Sequence, residues 1–467
     1  MTERYIVTLD PGSSKLGLAV AKVCGRDINL VFYREYPSDG IRHGKVLNPL
    51  RAGNAIRTAV AEAEKELGIK IESVAVPLPR FGIRQEVAPG TIARTNPDEC
   101  ITIDEINLLK DNALDSYTPD DPVHEEVYEA IAQSFTTEDL FQCKEEDILG
   151  SVGDKIEGNF RIFIGSKGAV TNLERALSTA QLSTGRKYFE PALIADAVLT
   201  DSEMDNGVAL FEIGAGVSSV SIYQAGNLRY YGSIPFGGRN VSIDIKNEAG
   251  IREVLAENIK LGYGACIPEK LQTMAAKTLM INDEDQVVSR KLPVTRLSEI
   301  IDCRMREIFE ALLYCVHRSG LYGKLRSGIV LCGGSAELQG AASLLAGMSG
   351  LNVRVGYSRI KGITSTGFPQ FKDESAAVSA AMILRAGTDP YFSSTASGAN
   401  TGEELRDTVF DPGKEEKNET SKSVKKRHQP TWGKKVRLGV GGIVDDAVGL
   451  FDSTVGKLYE NFDNQEN

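Results

Sequence analysis

Short apolar runs rich in β-branched residues alternate along the chain with longer stretches in which apolar residues recur every three to four positions. The short runs predict strands, and the helical spacing predicts helices such as Asn54–Leu67, where Ala55, Ala59 and Ala63 share one face. The further predicted helices are Leu173–Ala180, Ala192–Leu199, Ile251–Gly262, Ile300–Val316 and Leu338–Met348. The predicted strands are three within residues 5–36 (the third near Leu30–Tyr36), Ser73–Val76, Phe160–Ile164, two within residues 207–224, and Ile329–Cys332. This alternation predicts an α/β body with layered sheets.

The stretch between residues 79 and 163 differs in composition from its surroundings. It contains several prolines, a polar loop and two acidic segments, Asp104–Asp115 and Val123–Gln133, that we expect to be helical. We therefore expect residues 79–163 to form an inserted subdomain.

The chain's first candidate for chemistry is Tyr5–Val23, where an apolar run ends at Asp10 and a turn of small residues follows. The turn residues are Gly12, Ser13, Ser14 and Lys15. Such a turn aims backbone N–H groups, hydroxyls and an ammonium at one anion, and a glycine lets the backbone approach a ligand closely. A carboxylate beside it suits a hydrated Mg²⁺ on a phosphate. Taken alone, the stretch also fits a surface β-hairpin with a serine turn.

Residues 207–224 repeat this plan, with a strand, the carboxylate of Glu212, Gly214, a pair of serines at Ser218–Ser219 and a second strand. Two such hairpins about two hundred residues apart suggest a duplicated domain whose halves grip a polyphosphate from both sides. The chain contains no GxxxxGK[ST] loop, so the predicted site is not of the Walker type.

A third turn lies in Gly328–Leu338, where a predicted strand runs into Gly333, Gly334 and Ser335. The glycines let the backbone approach a flat ligand, and a following helix N-terminus favours anions or ribose oxygens. A plain connecting turn is the alternative for this stretch in isolation.

Composition narrows the function classes. The 467 residues carry a net charge of −11, which argues against wholesale nucleic-acid binding. The seven cysteines are scattered without a CxxC pair and there are four histidines, which makes a zinc site improbable and a reducing compartment the expectation. The N-terminus enters a strand directly and no apolar run approaches the ~20 residues of a spanning helix, so we expect a cytosolic body without a signal peptide.

From residue 387 onwards, the amino-acid composition of the chain changes. Residues 387–430 are rich in Ser, Thr, Gly, Glu and Lys, which predicts a disordered tether. A basic stretch around Trp432, Lys434 and Lys435 follows, and then apolar residues at helical spacing: Val444, Val448, Phe451, Val455, Leu458 and Phe462. This arrangement suggests a peripheral membrane anchor on anionic lipid. Because the polar face of that helix is mostly acidic, a helix that folds back on the body or binds a partner is the alternative.

The order of the three turns resembles the phosphate-1, phosphate-2 and adenosine motifs of the actin, Hsp70 and sugar-kinase superfamily. Within it, the chain is similar to the FtsA family of bacterial cell-division proteins over roughly residues 5–385. The runs that carry the resemblance are LDPGSSK, ILGSVGDKIEGNFRIFIG at 148–165, EPALIADAVL at 190–199, GVALFEIGAG, GSIPFGGRNVSIDI at 232–245, AENIKLGYGAC at 256–266 and VLCGGSAEL. The resemblance implies a two-lobed actin-like fold, which is a duplicated ribonuclease H-like fold.

The resemblance implies that ATP and Mg²⁺ bind between the lobes. The implied contacts are Gly12, Ser13, Ser14 and Lys15 to the β- and γ-phosphates, Asp10 to Mg²⁺ through water, and Gly214, Gly216 and Ser218 to the phosphates from the opposite side. The ribose contacts are Glu257 and Lys260, and the adenosine contacts are Gly333, Gly334 and Ser335. Glu257 and Lys260 also fit a solvated helix pair.

Two carboxylates are the catalytic candidates. Glu190 corresponds to a residue near the attacking water in relatives, although it also fits a helix N-terminal residue that complements the dipole. Relatives usually carry Asp where this chain has Glu212. The extra methylene displaces the carboxylate, so we expect binding with slow hydrolysis at most.

The resemblance also implies a domain plan: a first lobe (1–78 and 164–200), the inserted subdomain (79–163), a second lobe (201–238 and 299–386) with a small subdomain (239–298), a linker (387–430) and a membrane-targeting tail (431–467). The implied partners are other copies of the chain in a filament, further division proteins at 79–163, and the C-terminal peptide of the tubulin-like protein FtsZ at 239–298. Arg290, Lys291 and Arg296 are basic candidates for that peptide, or a solvated surface.

We thus expect a scaffold that ties FtsZ filaments to the cytoplasmic face of the inner membrane at the division septum. The alternatives are a superfamily enzyme, such as a sugar kinase or an Hsp70-like ATPase, and a pilus-assembly actin homologue.

Overall fold

The structure, a computed structural model, describes residues 4–281, 290–372, 376–389, 392 and 396–398. The strands in these residues are β1 (Arg4–Pro11), β2 (Lys15–Cys24), β3 (Asp27–Pro37), β4 (Ile41–Arg42), β5 (Lys45–Val46), β6 (Ile69–Ile71), β7 (Ser73–Pro77), β8 (Arg84–Ala93), β9 (Glu125–Thr136), β10 (Lys155–Ser166), β11 (Ser183–Tyr188), β12 (Val208–Ile213), β13 (Ser218–Gln224), β14 (Asn227–Ile234), β15 (Thr278–Ile281), β16 (Arg290–Pro293), β17 (Ile329–Cys332), β18 (Val353–Val355), β19 (Ile363–Thr364) and β20 (Ala396–Gly398).

The helices in the same residues are α1 (Pro49–Leu67), α2 (Ile103–Asp115), α3 (Glu145–Ile148), α4 (Lys167–Thr179), α5 (Glu190–Val198), α6 (Asp201–Asn206), α7 (Gly238–Ala249), α8 (Glu253–Tyr263), α9 (Val294–Arg318), α10 (Ala341–Ser349) and α11 (Ala377–Thr388). Short 3₁₀ turns lie at Pro268–Lys270, Gln272–Ala276, Tyr322–Lys324, Gly334–Glu337 and Pro369–Lys372.

Two sheets have matching topologies. The first has the strand order β11-β7-β1-β2-β3-β19, and the second has the order β18-β17-β12-β13-β14. In each sheet, three successive strands form an antiparallel meander, β1-β2-β3 or β12-β13-β14. The first strand of each meander pairs in parallel with a later strand, β7 or β17. The duplication predicted from the two hairpins is confirmed by this correspondence.

Alternation along the strands distributes the core over several layers. In β1, Ile6 packs in a buried cluster with Leu193 of α5 and Met382 of α11, whereas Val7 packs with the residues of α1 and α4. The α5–α11 cluster also contains Leu210 of β12, so these helices share one core with both sheets. The other face of the second sheet packs against α7, α9 and α10. Because a strand side chain alternates between faces, each sheet is covered on both sides.

A separate three-stranded sheet, with the order β8-β10-β9, lies within the predicted insert. Helix α2 packs on it through Leu109, in one cluster with Phe135 and Phe160. The helix expected at Val123–Gln133 is wrong, because the segment lies largely in strand β9. Its buried positions include Tyr128 and Ala130 in alternation, a strand period that the acidic composition obscured.

The helices differ from expectation mainly in their bounds. Helix α1 begins five residues before Asn54, at Pro49, where Asn48 caps the first turn by accepting from the Arg51 amide. Helix α9 extends over Val294–Arg318, and α10 begins only at Ala341, after the 3₁₀ turn at Gly334–Glu337. Helices α3, α6, α7 and α11 were not predicted.

Among the described residues, none of the helices has the length and apolar character required to cross a membrane. The predicted tail (431–467) and all but a few residues of the predicted linker (387–430) lie outside the described residues.

Candidate functional site

A cavity of about 930 Å³ is lined by residues from both matching sheets. It brings together every predicted site residue of the described chain except Ser218: Asp10, Gly12, Ser13, Ser14, Lys15, Glu190, Glu212, Gly214, Gly216, Glu257, Lys260, Gly333, Gly334 and Ser335. These residues come from positions more than three hundred apart in the sequence, so their convergence is a property of the fold.

The turn between β1 and β2 forms one wall. The Gly12 amide donates to the carbonyl of Asp10 at 3.1 Å, and a Cβ on Gly12 would lie only 2.7 Å from the Lys15 carbonyl oxygen. The tight turn therefore requires a glycine there. The hydroxyl oxygen of Ser13 accepts from the Gly44 amide at 2.9 Å, which leaves its own proton available as a donor.

Lys15 lines the cavity, and its ammonium forms an ion pair with Glu35. Its Nζ lies 2.8 Å from both carboxylate oxygens of Glu35 on β3, and the Tyr33 hydroxyl donates to the same carboxylate at 2.9 Å. Any anion that binds Lys15 must therefore share it with Glu35.

The turn after β12 forms the facing wall. The Gly214 amide donates to the Val217 carbonyl at 3.0 Å, and the Gly216 carbonyl contacts Nδ1 of His43 at 2.9 Å. A Cβ on Gly216 would lie 3.0 Å from Oγ of Ser13, so the two turns approach each other directly.

Ser218, a predicted phosphate contact, does not line the cavity. Its side chain is fully buried and its hydroxyl donates to the Phe236 carbonyl at 2.8 Å, so it ties β13 to the segment after β14. In an antiparallel strand, successive side chains point to opposite faces, and Ser219, the next residue, is the one that reaches the Glu212 carboxylate at 3.4 Å.

Three carboxylates and a guanidinium lie together at the carboxyl ends of β1, β7, β11 and β12. Nη1 of Arg80 pairs with Oε1 of Glu190 at 3.1 Å and with the carboxylate of Glu212, and all three side chains are less than 15 % exposed (11 %, 12 % and 14 %). Burial and the nearby Glu190 carboxylate raise the pKa of Asp10 to about 7, against the opposing effects of Arg80 and Lys15. Burial likewise raises the pKa of Glu190, and Arg80 opposes that shift. The region therefore holds excess negative charge away from water.

Glu190 is the first residue of α5, as its alternative interpretation expected, and it also lines the cavity. The two interpretations are compatible, because a helix N-terminus favours a carboxylate while the side chain still reaches Arg80.

Helix α8 supplies a buried lysine, Lys260, to the cavity. Nζ of Lys260 donates to Oε2 of Glu257 at 2.8 Å and to the Gly238 carbonyl at 2.9 Å, and the residue is only 6 % exposed. The Ser242 hydroxyl also donates to the Glu257 carboxylate. A simple solvated pair does not describe Lys260, because its ammonium bridges α8 to the start of α7.

The turn after β17 completes the lining. Gly333 has φ +90°, and a Cβ there would lie 2.5 Å from the Ile213 carbonyl oxygen, so only glycine fits this position. Nothing lies within 4 Å of a Cβ built on Gly334, which leaves open space over the cavity. Ser335 is buried against Gly238, where a Cβ would lie 2.2 Å from its Oγ.

Arg80, Glu35 and His43 are the site residues that sequence reasoning missed. Arg80 follows β7, the parallel neighbour of β1, so its loop opens at the same sheet edge as the first turn. That signal was present once Ser73–Val76 was recognised as a strand, but the parallel pairing was not predictable from local pattern. Within the described residues, no cluster of three or more His, Cys, Asp and Glu side chains has the geometry to ligate a metal directly.

Comparison with known proteins gives concordant results. The family model described as cell division protein FtsA matches residues 209–381. The cell division protein FtsA of Borreliella burgdorferi is 29 % identical over 360 residues, which cover 76 % of this chain and 85 % of that protein. The FtsA protein of Streptococcus pneumoniae is 28 % identical and covers 78 % of each chain.

Among solved structures, a PilM-PilN type IV pilus biogenesis complex aligns with a TM-score of 0.56 at 16 % identity, over 82 % of this chain and 99 % of that one. At this identity the likeness concerns the fold alone, and it agrees with the duplicated two-lobed actin-like fold expected from the sequence. The family model and the relatives confirm the recognition made from the sequence motifs: the chain is similar to the FtsA family of actin-like cell-division proteins.

Proposed function

We propose that this chain binds ATP with Mg²⁺ between its matching sheets, self-assembles, and anchors filaments of FtsZ to the cytoplasmic face of the membrane at the division site. The observation that carries the proposal is the convergence of two hairpin turns and a glycine turn on one cavity of about 930 Å³. A cavity of this volume is within the range that encloses a small-molecule ligand.

The phosphates would lie between the first and second turns. Gly12, Ser13, Ser14 and Gly214 all line the cavity there. Gly216 would approach from the facing side. Lys15, shared with Glu35, would supply a cation at the rim.

The carboxylate of Asp10 would hold Mg²⁺ through water. The raised pKa of Asp10 reflects burial beside another carboxylate, and a divalent cation relieves that excess of negative charge. When bound, Mg²⁺ supplies neutralisation of the phosphate charge. The residues present therefore fit the ion and the polyphosphate together.

The adenosine would occupy the opposite end of the cavity. Ser242 and Lys260 orient the Glu257 carboxylate, which makes it a fixed acceptor for ribose hydroxyls. The open space over Gly334 suits a flat base, and Ser335 adds a hydroxyl beside it.

We assign the three-stranded sheet and α2, within residues 79–163, to contacts with neighbouring subunits or other division proteins. The small subdomain at 239–298 would dock the FtsZ C-terminal peptide. Arg296 lies 2.7 Å from a Glu248 oxygen and 3.0 Å from a Glu299 oxygen, so an acidic peptide would have to compete with these carboxylates. Arg290 and Lys291 are on β16 in the same part of the chain.

The membrane contact would come from the tail. Its proposed residues are Trp432, Lys434, Lys435, Val444, Val448, Phe451, Val455, Leu458 and Phe462. The basic residues would supply attraction to anionic lipid, and the apolar face would enter the interface.

Retention of the full chain on an immobilised FtsZ C-terminal peptide tests the proposed division role. We expect retention on the peptide and none on a scrambled peptide of the same composition, because composition alone preserves charge but not the sequence of side chains. Absence of binding at high peptide concentration, with the chain shown to be folded by circular dichroism, would contradict the proposal.

A further inference from the structure

Arg80 occupies an unusual position between the lobes. It lies in the short segment that links β7 of the first sheet to β8 of the three-stranded sheet, and its guanidinium lines the cavity. Through Glu190 on α5 and Glu212 on β12, this one side chain joins carboxylates from the two matching halves of the fold. We refer to Glu190 and Glu212 as the carboxylate pair.

The backbone of Arg80 is held in place. The Tyr231 hydroxyl donates to the Arg80 carbonyl at 2.7 Å, and the Gly82 amide donates to Oγ of Ser233 at 3.2 Å. Gln85 exchanges two hydrogen bonds with the backbone of Tyr231, at 3.1 and 3.2 Å. These contacts attach the segment to β14, so the guanidinium is positioned before any ligand arrives.

Arg80 also touches the turn that would hold phosphates. Its Nη2 lies 3.4 Å from the Val217 carbonyl, and a Cβ on Gly214 would lie 2.4 Å from the same nitrogen. Gly214 therefore leaves room for the guanidinium beside the turn. Arg80 contacts groups beside the turn after β12, whereas Glu257 contacts Ser242 and Lys260 on α7 and α8. With the adenosine at Glu257 and Gly334, the phosphate farthest from the base would come nearest to Arg80.

The carboxylate pair and a terminal phosphate present the same chemistry to Arg80. A guanidinium binds carboxylates and phosphates alike, often through two parallel hydrogen bonds. Without Arg80, a third phosphate would enter a region that already holds Asp10 and the carboxylate pair, with Lys15 engaged by Glu35. A nucleoside diphosphate lacks the group that would reach this position.

We propose that Arg80 determines the specificity of the site for the third phosphate of ATP, a proposal that rests on the proposed function. On binding, Arg80 exchanges a contact with the carboxylate pair for a contact with the terminal phosphate. The site would thereby distinguish a nucleoside triphosphate from a diphosphate, a property that the proposed function does not include.

Calorimetric titration of the full chain with Mg·ATP and with Mg·ADP tests this inference. We expect wild type to bind ATP at least about tenfold more tightly than ADP, the size of one charge-assisted hydrogen bond. Arg80→Gln should bring the two affinities to within about twofold, mainly by weakening ATP, since the lost contact is to the third phosphate. Arg80→Lys, which keeps the charge without the planar fork, should give an intermediate ratio.

The matched control is Arg84→Gln. Arg84 lies four residues later and also pairs with two glutamates, Glu86 and Glu125, but it does not line the cavity. We expect this variant to keep the wild-type ratio of affinities.

Several results would overturn the inference. If wild type binds both nucleotides equally, or if both Arg80 variants weaken ATP and ADP in the same proportion, Arg80 has no role in distinguishing them, while ATP binding itself stands. If wild type binds neither nucleotide, the proposed function fails and this inference fails with it.

Discussion

Asp10, Glu190 and Glu212 bring three carboxylates to one buried region, and Arg80 pairs with two of them. The region therefore has more negative than positive charge until a cation binds or a carboxyl group takes up a proton. Such an excess is costly to bury, which is why the protonation of Asp10 is expected to influence the stability of the ligand-free protein.

Asp10→Asn should stabilise the ligand-free protein above neutral pH. The pKa of Asp10 rises from 3.8 to about 7 on folding, so between these values the unfolded state releases a proton that the folded state keeps. Stability from this group is therefore present at low pH and is lost as pH rises toward 7. We expect Asn, which carries no charge, to raise the free energy of unfolding at pH 8 by on the order of 2 kcal/mol.

Thermal unfolding of both proteins in the absence of nucleotide and divalent cations measures this effect. The difference between the melting midpoints should shrink as the pH is lowered from 8 to 5. A difference that stays constant with pH would mean that Asp10 is not protonated in the folded state in this range.

Glu212→Asp should raise the steady-state ATPase rate. The carboxylate of Glu212 pairs with Arg80, and Asp is the residue that the family resemblance implies for this position. Because a displacement of about 1 Å can change a rate about 10²-fold, we expect an increase of about tenfold or more. Glu86→Asp, on β8 outside the cavity, is the control and should not change the rate. A sizeable wild-type rate that Glu212→Asp leaves unchanged would contradict slow hydrolysis through Glu212.

At the scale of elements, the sequence predicted the strands of both hairpins and most of the longer helices, but not the register or the partners of the strands. The hairpin turns were predictable because glycines, serines and carboxylates mark them locally, and the matching sheets bear this out. Strand β9 was mistaken for a helix because its charged residues obscured the alternation of Tyr128 and Ala130. Arg80 was missed because its role depends on the parallel pairing of β1 with β7, which joins distant parts of the chain.

The packing of α1 against α4 gives an element-scale prediction. A Cβ on Gly53 of α1 would lie 2.5 Å from Cβ of Thr179 and 2.7 Å from the Ala176 carbonyl oxygen. Although alanine favours a helix by about 1 kcal/mol over glycine, overpacking costs roughly 1–3 kcal/mol. We expect Gly53→Ala to lower the midpoint of urea unfolding followed by circular dichroism.

Gly347→Ala in α10 is the matched control for Gly53→Ala. Nothing lies within 4 Å of a Cβ built on Gly347, so only the helix propensity changes. We expect this variant to be as stable as wild type or more so, by about 0.5–1 kcal/mol. Equal responses of the two variants would show that α1 and α4 do not pack as closely as described.

At the scale of the molecule, the duplicated fold explains why residues from opposite ends of the sequence meet. Each matching sheet contributes a hairpin turn, and the parallel strands β7 and β17 bring Arg80 and Gly333 to the same cavity. The proposed anchor lies in the tail and the proposed FtsZ site in residues 239–298, so the two binding activities would belong to different parts of one chain. This separation makes the bridging role directly measurable.

The most direct measurement of the proposed function is sedimentation of FtsZ filaments with vesicles containing anionic lipid, in the presence of the chain and Mg·ATP. We expect FtsZ to pellet with vesicles when the full chain is present, and to stay in the supernatant with a chain that ends after Gly398, which keeps α11 and β20. The truncated chain must still bind the FtsZ peptide, so that loss of sedimentation reports the anchor. Equal amounts of FtsZ in the pellet with the full chain, with the truncated chain and with no chain would contradict the account.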